Sequence, residues 1–207
     1  MIKCSSSVLL SLAVLLVPTH VVHAAKPVFS MGKPTYSGTG CPKGSIDTIT
    51  SNDAQSVSIL FSAYSASTTS KLTRDRKKCE LAVPVTIMRG FSIGIFQADY
   101  RGNVYVPEDA TALAEFSAEY YFAGKDGPVY KKNWTSGFND DIMISDKLSA
   151  SAVAWSGCKS STILRIRTAI VARKSSLKIK DETQIAIDSA DVTTDQGFHF
   201  DITYQPC

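Results

Sequence analysis

The sequence predicts an exported all-β protein, built as an antiparallel sandwich of two sheets with about seven to ten short strands. Three observations favour this fold. Apolar and polar residues alternate with a period of two in several segments, turn-forming dipeptides separate those segments, and the cysteines that follow the N-terminal apolar run are even in number. We therefore expect a β-sandwich stapled by disulfide bonds.

The N-terminus has the layout of a signal peptide. Lys3 is the only charged residue before Lys26, and an apolar run covers residues 8–17 between them. This run has about half of the roughly 20 apolar residues that a bilayer-spanning helix needs. No hydrophobic segment of comparable length follows, so the sequence predicts no membrane span.

Cleavage after Ala24 best fits the small-residue positions that a signal peptidase reads, with a cut after Ala25 as the alternative. Residues 1–24 are then the signal peptide, and residues 25–207 are expected to form a single secreted domain. We expect this mature protein to be soluble, and extracellular or associated with the cell wall. The formal net charge of the full chain is +3, and removal of Lys3 with the signal peptide lowers this charge by one. A charge this small does not favour a nucleic-acid partner.

Four cysteines follow the predicted signal peptide: Cys41, Cys79, Cys158 and Cys207. Their wide spacing lacks the close pairs of zinc sites, so two disulfides are predicted and no metal. Four cysteines allow three connectivities, which spacing does not resolve; we favour Cys41 with Cys79 and Cys158 with Cys207. In the stretch GTGCPKGS, Cys41 is expected to tie a glycine-rich entry segment to the folded body.

The alternating segments are the predicted strands, each with one inward-facing set of residues. In chain order these sets are Val57, Ile59, Phe61 and Ala63; Cys79, Leu81, Val83, Val85 and Ile87; Phe91, Ile93 and Ile95; Ala112, Ala114, Phe116, Ala118, Tyr120 and Phe122; Leu164, Ile166, Thr168 and Ile170; Ile185 and Ile187; and Phe198, Phe200, Ile202 and Tyr204. Residues 109–118 are rich in alanine, but their apolar positions alternate at two, so a strand is predicted there as well.

Catalytic chemistry finds little support in the sequence. The predicted mature chain has one histidine, His199, which excludes metal sites built from several histidines. Alternation places His199 beside Asp201 on the outward face of the last strand, and no G-x-S-x-G motif accompanies them. We predict no catalytic residue and no cofactor.

Paired carboxylates are the requirement for glycoside hydrolysis. Glu115 and Glu119 share a face of one strand, but four residues separate them by about 13 Å, more than either stereochemical route uses. The pairs Glu108-Asp109 and Asp140-Asp141 are interpreted as solvated loop charges.

A basic cluster precedes the strand that begins near Cys79. It consists of Lys71, Arg74, Arg76, Lys77 and Lys78, with only Asp75 opposing them. Such a cluster suits an anionic polysaccharide or a membrane headgroup, and the plainer interpretation is a solvated loop that keeps the protein soluble.

Aromatic residues form a second candidate surface. Alternation sends Tyr120 and Phe122 inward and leaves Tyr121, Tyr130 and Trp134 as outward rings that would stack on sugars. The alternative is that these rings cover the end of the sandwich core. Asn133-Trp134-Thr135 is also an N-glycosylation acceptor, which predicts a surface position in a eukaryotic secretory pathway.

Several motifs in order resemble one known family: GTGCPKGS, RDRKKCEL, GFSIGIFQADYRG, EYYFAG, AWSGC and the closing Cys207. Together they are similar to the secreted fungal and bacterial proteins of domain-of-unknown-function family 4360, over nearly the whole mature chain. The resemblance implies secretion and a cysteine-stapled β-rich fold, and it supplies no activity. The C-terminal DITYQPC departs from the family in lacking a tryptophan shortly before the final cysteine, and the segment before AWSGC is divergent.

Three functions remain open at this point. The first is a secreted, non-enzymatic protein that binds carbohydrate or a cell-wall surface through loop aromatics and the basic cluster. The second is an extracellular structural or host-interaction protein that recognises another protein. The third is an enzyme that acts on extracellular polysaccharides through carboxylates. The sequence does not predict the oligomeric state.

Overall fold

The computed structural model describes residues 28–50, 52, 57–122, 124, 126–149, 151–188 and 199–207. The predicted signal peptide and Phe198 lie outside these residues. The described part of the chain is entirely β, with thirteen strands and no helix. None of its residues forms a helix of the length and hydrophobicity that a membrane crossing requires.

The strands range in length from three to fifteen residues. In chain order they are β1 (Phe29–Met31), β2 (Thr35–Ser37), β3 (Ile46–Thr50), β4 (Val57–Phe61), β5 (Ser65–Ser67), β6 (Arg74–Ile87), β7 (Phe91–Tyr105), β8 (Leu113–Phe122), β9 (Val129–Thr135), β10 (Asn139–Lys147), β11 (Ser161–Arg173), β12 (Gln184–Ile187) and β13 (His199–Pro206).

Two large antiparallel sheets carry most of these strands. Sheet 1 has the order β1-β6-β11-β8-β9, and β2 also pairs with β6. Sheet 2 has the order β10-β7-β12-β5, and β13 also pairs with β7. A small third sheet consists of β3 and β4. The predicted all-β antiparallel sandwich is confirmed.

The core lies between sheets 1 and 2, where the inward residues of each strand meet. Strand β8 shows the principle, because every second residue from Ala114 to Phe122 is buried while its neighbours are partly exposed. Phe116 of sheet 1 packs on Tyr100 of sheet 2 with ring centroids 4.6 Å apart. Burial of each such aromatic ring stabilises the fold by roughly 1.5–3 kcal/mol.

Polar groups also join the two sheets inside this core. The hydroxyls of Tyr100 and Tyr120 lie 2.5 Å apart, and the Tyr64 hydroxyl donates a hydrogen bond to Thr168 Oγ1 at 2.9 Å. Burial raises the pKa of both Tyr100 and Tyr120 well above the ordinary tyrosine value. These hydroxyls therefore stay neutral, and their pairing avoids the cost of unsatisfied buried donors.

Three details of the predicted strands are corrected by the structure. Ala63, expected to face inward, lies beyond the end of β4 and is exposed. The strand number exceeds seven to ten because β1, β2 and β5 have three residues each, too few to show a period in sequence. Tyr204, expected to face inward, is 52% exposed. It lies opposite Ile93 in the edge strand β13, and its ring contacts that of Phe91 edge-on at 5.8 Å rather than entering the core.

The two disulfides pair as favoured from the sequence. Cys41 bonds Cys79 with the Cα atoms 5.4 Å apart, and both residues are buried. Cys158 bonds Cys207 with the Cα atoms 5.9 Å apart, and both residues are exposed. One bond thus belongs to the core beside sheet 1, and the other fastens the end of β13 in sheet 2.

Candidate binding face

The outward-pointing side chains of β6, β11, β8 and β9 form one continuous surface, which we call the outer face of sheet 1. Because strand residues alternate, the polar half of each strand lies on this surface. Its basic residues are Arg74, Arg76, Lys78, Lys131, Arg165, Arg167 and Arg173, and its acidic residues are Glu80, Glu115 and Glu119. Positive charge therefore dominates this face.

Four residues of the predicted basic cluster, Arg74, Arg76, Lys77 and Lys78, lie within strand β6 and not in a loop before it, whereas Lys71 lies in the turn that precedes the strand. Strand alternation divides the cluster: Arg74, Arg76 and Lys78 point outward, whereas Lys77 takes the other parity and forms an ion pair with Asp75 at 3.4 Å. Lys77 therefore does not belong to the outer face of sheet 1.

A groove of about 220 Å³ crosses the outer face of sheet 1. Register explains its shape, because Lys78, Ala169, Ser117 and Lys131 are successive partners in one row across four strands. The two central residues are small and form a floor, while the lysines stand at its two ends. We call this feature, which Arg76 also lines, the basic groove.

A network of ion pairs borders one side of the basic groove. The Arg167 guanidinium contacts Glu119 at 2.8 Å and Glu80 at 3.5 Å, and Arg165 contacts Glu80 at 2.9 Å. Arg167 also donates a hydrogen bond to the Tyr121 hydroxyl at 2.7 Å and lies 5.0 Å from the centre of the Tyr121 ring. The two arginines of this network are therefore balanced by two carboxylates.

The Tyr121 hydroxyl completes that network by donating a hydrogen bond to Glu80 at 3.3 Å. Partial burial, and next the charge of Glu80, raise the pKa of this hydroxyl. Tyr121 thus remains a neutral ring with a fixed orientation on the outer face of sheet 1.

Three cations of the basic groove lack the carboxylate partners that Arg165 and Arg167 have in the described part of the chain. Within the described residues, no carboxylate forms an ion pair with Arg76, Lys78 or Lys131. All three side chains are exposed, and they converge on a floor of Ser117 and Ala169. This arrangement provides charge-assisted hydrogen-bond donors for an anion.

The glycine-rich entry segment holds Lys78 in place. The Gly40 amide donates a hydrogen bond to the Lys78 carbonyl at 2.8 Å, and the Lys78 amide donates one to Thr39 Oγ1 at 3.0 Å. Gly38 has φ of 148°, and a Cβ there would lie 2.1 Å from the Lys78 carbonyl oxygen. This packing and the Cys41–Cys79 bond fix the β6 end of the basic groove. The residues of the GTGC segment are explained by this role.

The aromatic prediction is corrected for two of its three rings. Trp134 is only 6% exposed, because it takes the inward parity of β9 and packs near Phe138 with ring centroids 6.2 Å apart. Tyr130 shares that parity, is half-buried and lies near Phe116 at 6.4 Å. Only Tyr121 belongs to the outer face of sheet 1.

Asn133 and Thr135 take the outward parity of β9 and are exposed. Asn133 is the register partner of Glu115, one row beyond the Lys131 row of the basic groove. Glycosylation of Asn133 stays a prediction, and its side chain is accessible for it.

The other candidate acids do not form a site. Asp140 and Asp141 are exposed in strand β10, and Asp109 accepts hydrogen bonds from Thr111, which lower its pKa. No three His, Cys, Asp or Glu side chains in the described part of the chain gather as a metal site would require. The side chain of His199 lies outside what the structure describes.

Sequence reasoning missed Lys131 and the small floor residues Ser117 and Ala169. The alternation of Arg165 and Arg167 with buried Ile166 did signal a charged outer face on β11. The pairing of β11 with β6 and of β8 with β9 is a long-range property, and only that pairing brings these residues into one row.

Comparison with known proteins identifies relatives of this chain. The profile of a family described as "Domain of unknown function (DUF4360)" matches residues 29–207. An uncharacterized secreted protein of Arthroderma benhamiae is 26% identical over 176 residues, which are 84% of this chain and 69% of that protein.

Two solved structures share weak similarity with the chain. The carbohydrate-binding module TmCBM61, in complex with β-1,4-galactotriose, gives a TM-score of 0.32 at 11% identity, covering 84% of this chain and 88% of the module. A family 11 carbohydrate-binding module from Clostridium thermocellum, bound to a mixed-linked tetrasaccharide, gives 0.21 at 8% identity, covering 87% and 91%. TM-scores this low support no conclusion about the ligand of this chain.

Proposed function

The chain belongs to the DUF4360 family, and we propose that it is a secreted, non-catalytic protein that binds an acidic polysaccharide in the basic groove of sheet 1. The observation that carries this proposal is the set of three uncompensated cations, Arg76, Lys78 and Lys131, around a floor of small residues.

The extracellular setting agrees with this function. The chain carries two disulfides, bonds that form and persist in oxidising compartments. Its relative from Arthroderma benhamiae is described as secreted. The protein is extracellular, where polysaccharides are among the polymers that it meets.

The dimensions of the basic groove favour a chain-like ligand over a small ion. Lys78 on β6 and Lys131 on β9 are separated by three strand spacings, or about 14 Å. A single small anion cannot contact both ends, whereas a polymer with repeated negative charges can. The hydroxyl of Ser117 and the ring of Tyr121 offer polar and aromatic contacts of the kind that sugars accept.

The carboxylates of the outer face favour binding over hydrolysis. Glu119, which lines the basic groove, is held by Arg167 at 2.8 Å. Glu115 points outward from the same strand, about 13 Å away by strand geometry. Because glycoside hydrolysis needs two carboxyl groups within roughly 5–9.5 Å, Glu115 and Glu119 do not form a catalytic pair. Glu80, the third carboxylate of this face, is held in ion pairs by Arg165 at 2.9 Å and by Arg167 at 3.5 Å.

The proposal is tested by calorimetry on the protein purified from culture medium. The probes are polygalacturonate as an acidic polymer, and galactan, β-glucan and soluble chitin oligomers as neutral ones, at low and at physiological salt. We expect binding to polygalacturonate that weakens as salt rises, because the cations are exposed and screened. Anionic lipid vesicles form a further arm, which separates a polysaccharide from a membrane headgroup.

Matched charge reversals locate the site. Lys78→Glu combined with Lys131→Glu is expected to weaken binding more than tenfold, since charge-assisted hydrogen bonds contribute about 1.5–3 kcal/mol each. Arg101→Glu combined with Lys147→Glu, on strands β7 and β10 of sheet 2, makes the same change in net charge and should leave binding nearly unchanged. Equal losses in both variants, or binding to vesicles alone, would contradict the proposal.

A further inference from the structure

A second cleft opens at the other end of the outer face of sheet 1. Its volume is about 480 Å³, and its lining includes Pro84, Thr86, Lys159, Ser161 and Ile163. Pro84 pairs with Ile163, and Thr86 pairs with Ser161, so these residues occupy the rows of β6 and β11 beyond the ion-pair network. We call this feature the far cleft.

The far cleft combines a free cation with apolar and hydroxyl surface. Ile163 is 40% exposed, although it pairs with Pro84 within the β6–β11 ladder. Lys159 is exposed, and among the described residues it has no ion-pair partner. The hydroxyls of Thr86 and Ser161 lie beside the apolar surface of Pro84 and Ile163. Such a mixture suits a sugar residue, which has both an apolar face and polar edges.

The loop that carries Lys159 is held in place by several contacts. Cys158, its neighbour, is bonded to Cys207, and the Ile87 amide donates a hydrogen bond to the Ser160 carbonyl at 2.9 Å. Ser156 Oγ accepts a hydrogen bond from the Ile93 amide at 3.1 Å. The far cleft is therefore preformed, and a ligand would not need to order it.

Strand β11 connects the two features. Ala169 lies on the floor of the basic groove and Ile163 lines the far cleft. The six residue steps from Ala169 to Ile163 span about 20 Å of strand. The surface along this path is the platform of Arg167, Tyr121 and Arg165. Ion pairs with Glu80 and Glu119 fix the two arginines, and hydrogen bonds with Arg167 and Glu80 fix Tyr121.

We infer that the far cleft is a second subsite for the same acidic polysaccharide: the chain crosses the strands in the basic groove, turns at the Arg167–Tyr121 platform and continues along β11 to Lys159 and Ile163. This inference rests on the proposed function. It adds that the protein selects long chains over short ones, because only a chain longer than about 20 Å reaches both subsites.

The test is a series of oligogalacturonides of increasing length, titrated calorimetrically into the protein. Short oligomers fill the basic groove alone, and oligomers that span the path should bind about tenfold tighter or more, since a tethered second contact forms at high effective concentration. Lys159→Glu and, separately, Ile163→Ser should each reduce this gain and leave the affinity for the short oligomers unchanged. Lys147→Glu, on β10 of sheet 2, is the matched control for charge.

The outcomes separate the two proposals. If short oligomers bind and longer ones bind no tighter, the far cleft is not a subsite, while the proposed function stands. A length-dependent gain that survives both Lys159→Glu and Ile163→Ser would place the second contact elsewhere and also overturn the inference. If no oligomer binds at any length, both proposals fail.

Discussion

The two outer faces of the sandwich follow the same strand geometry and differ in their balance of charge. The outer face of sheet 2 carries Asp99 and Asp141, with Asp188 directly after β12, beside the cations Arg101 and Lys147. Gln97 donates hydrogen bonds to Asp99, and Asn103 donates one to Asp188. On sheet 1, three cations border a groove and have no ionic partner within the described residues.

This difference shows which features of the molecule indicate a binding face. Both sheets obey the same alternation, so the fold alone does not distinguish a binding face from an inert one. The distinguishing features are the charge of the outward residues and the small residues Ser117 and Ala169, which leave a groove where longer side chains would fill it. Each sheet also has its own disulfide, and this allows the two faces to be perturbed separately.

The largest effects are expected from the disulfides. Cys41→Ala with Cys79→Ala should lower the free energy of unfolding by about 2–4 kcal/mol, with a further loss because both residues are buried. Binding of short acidic oligomers should weaken as well, since the bond fixes the segment that holds Lys78. Urea unfolding and calorimetry measure the two effects.

The Cys158–Cys207 disulfide provides the control for the Cys41–Cys79 disulfide. Removal of Cys158 and Cys207 together should cost about 2–4 kcal/mol of stability and leave short-oligomer binding intact. Gly38→Ala is a milder change on the sheet 1 side, where the added Cβ would clash with the Lys78 carbonyl. A loss of short-oligomer binding in the Cys158/Cys207 variant, equal to that in the Cys41/Cys79 variant, would contradict the assignment of the basic groove.

Filling the basic groove should abolish binding at little cost in stability. Ser117→Trp places a large ring on the floor between Lys78 and Lys131, and a loss of affinity of more than tenfold is expected from steric exclusion. Because Ser117 points to solvent, the free energy of unfolding should change by only about 0.5 kcal/mol. Ser145→Trp makes the same substitution on the outer face of sheet 2, and unchanged binding there is required for the account to hold.

Stability and binding should respond differently to pH. Asp146 is 6% exposed, and within the described residues its Oδ2 has no hydrogen-bond partner. Burial raises the pKa of its carboxyl group, and a hydrogen bond with Tyr120 offsets part of this effect. The contribution of the neutral carboxyl to stability is therefore fully present below the unfolded value of about 3.9 and is lost as pH rises through the folded pKa.

Asp146→Asn should reduce this decline in stability between acidic and neutral pH, as measured by urea unfolding at a series of pH values. The groups that face Asp146 are the hydroxyls of Tyr100, Tyr120 and Tyr130. Burial also raises the pKa of Asp188, which acts in the same direction. The affinity for a sulfated polysaccharide, whose charge does not titrate in this range, should stay constant over the same pH values. A pH profile of stability that Asp146→Asn leaves unaltered would show that the carboxyl is not protonated in the fold.

The smallest effect is expected at Asn133. In a eukaryotic secretory pathway the protein should carry one N-linked glycan there, detected as a mass that an endoglycosidase removes and that Asn133→Gln or Thr135→Ala eliminates. The side chain points outward from the edge strand β9, so the glycan should change short-oligomer affinity by less than about threefold. Loss of all binding in the glycosylated form would mean that the ligand path reaches further along β9 than the basic groove does.

The sequence predicted the local part of this structure well. Inward positions such as Phe116 and Ile166 followed from alternation, because strand parity depends only on neighbouring residues. Trp134 was placed on the wrong face because strand β9, VYKKNWT, puts Lys132 on the inward parity and so hides its period. The two disulfide pairs were favoured but not fixed, since spacing leaves three connectivities open.

The candidate site depended on information that spacing does not contain. Lys78 and Lys131 stand at the ends of one groove only because β6, β11, β8 and β9 are neighbours in that order. The basic run was visible in the sequence, but its division into outward Arg76 and inward Lys77 required the knowledge that the run is part of a strand. Long-range register, and not composition, assembled the basic groove.

The central claim is that the basic groove, and not the outer face of sheet 2, holds an acidic polysaccharide. It is tested most directly by nuclear magnetic resonance, with a short oligogalacturonide titrated into isotope-labelled protein. The account predicts saturable, salt-sensitive shifts of the backbone amides of Ser117 and Ala169, with those of Asn103 and Ala186 on sheet 2 unchanged. Shifts confined to sheet 2, or none at any concentration at low salt, would contradict it.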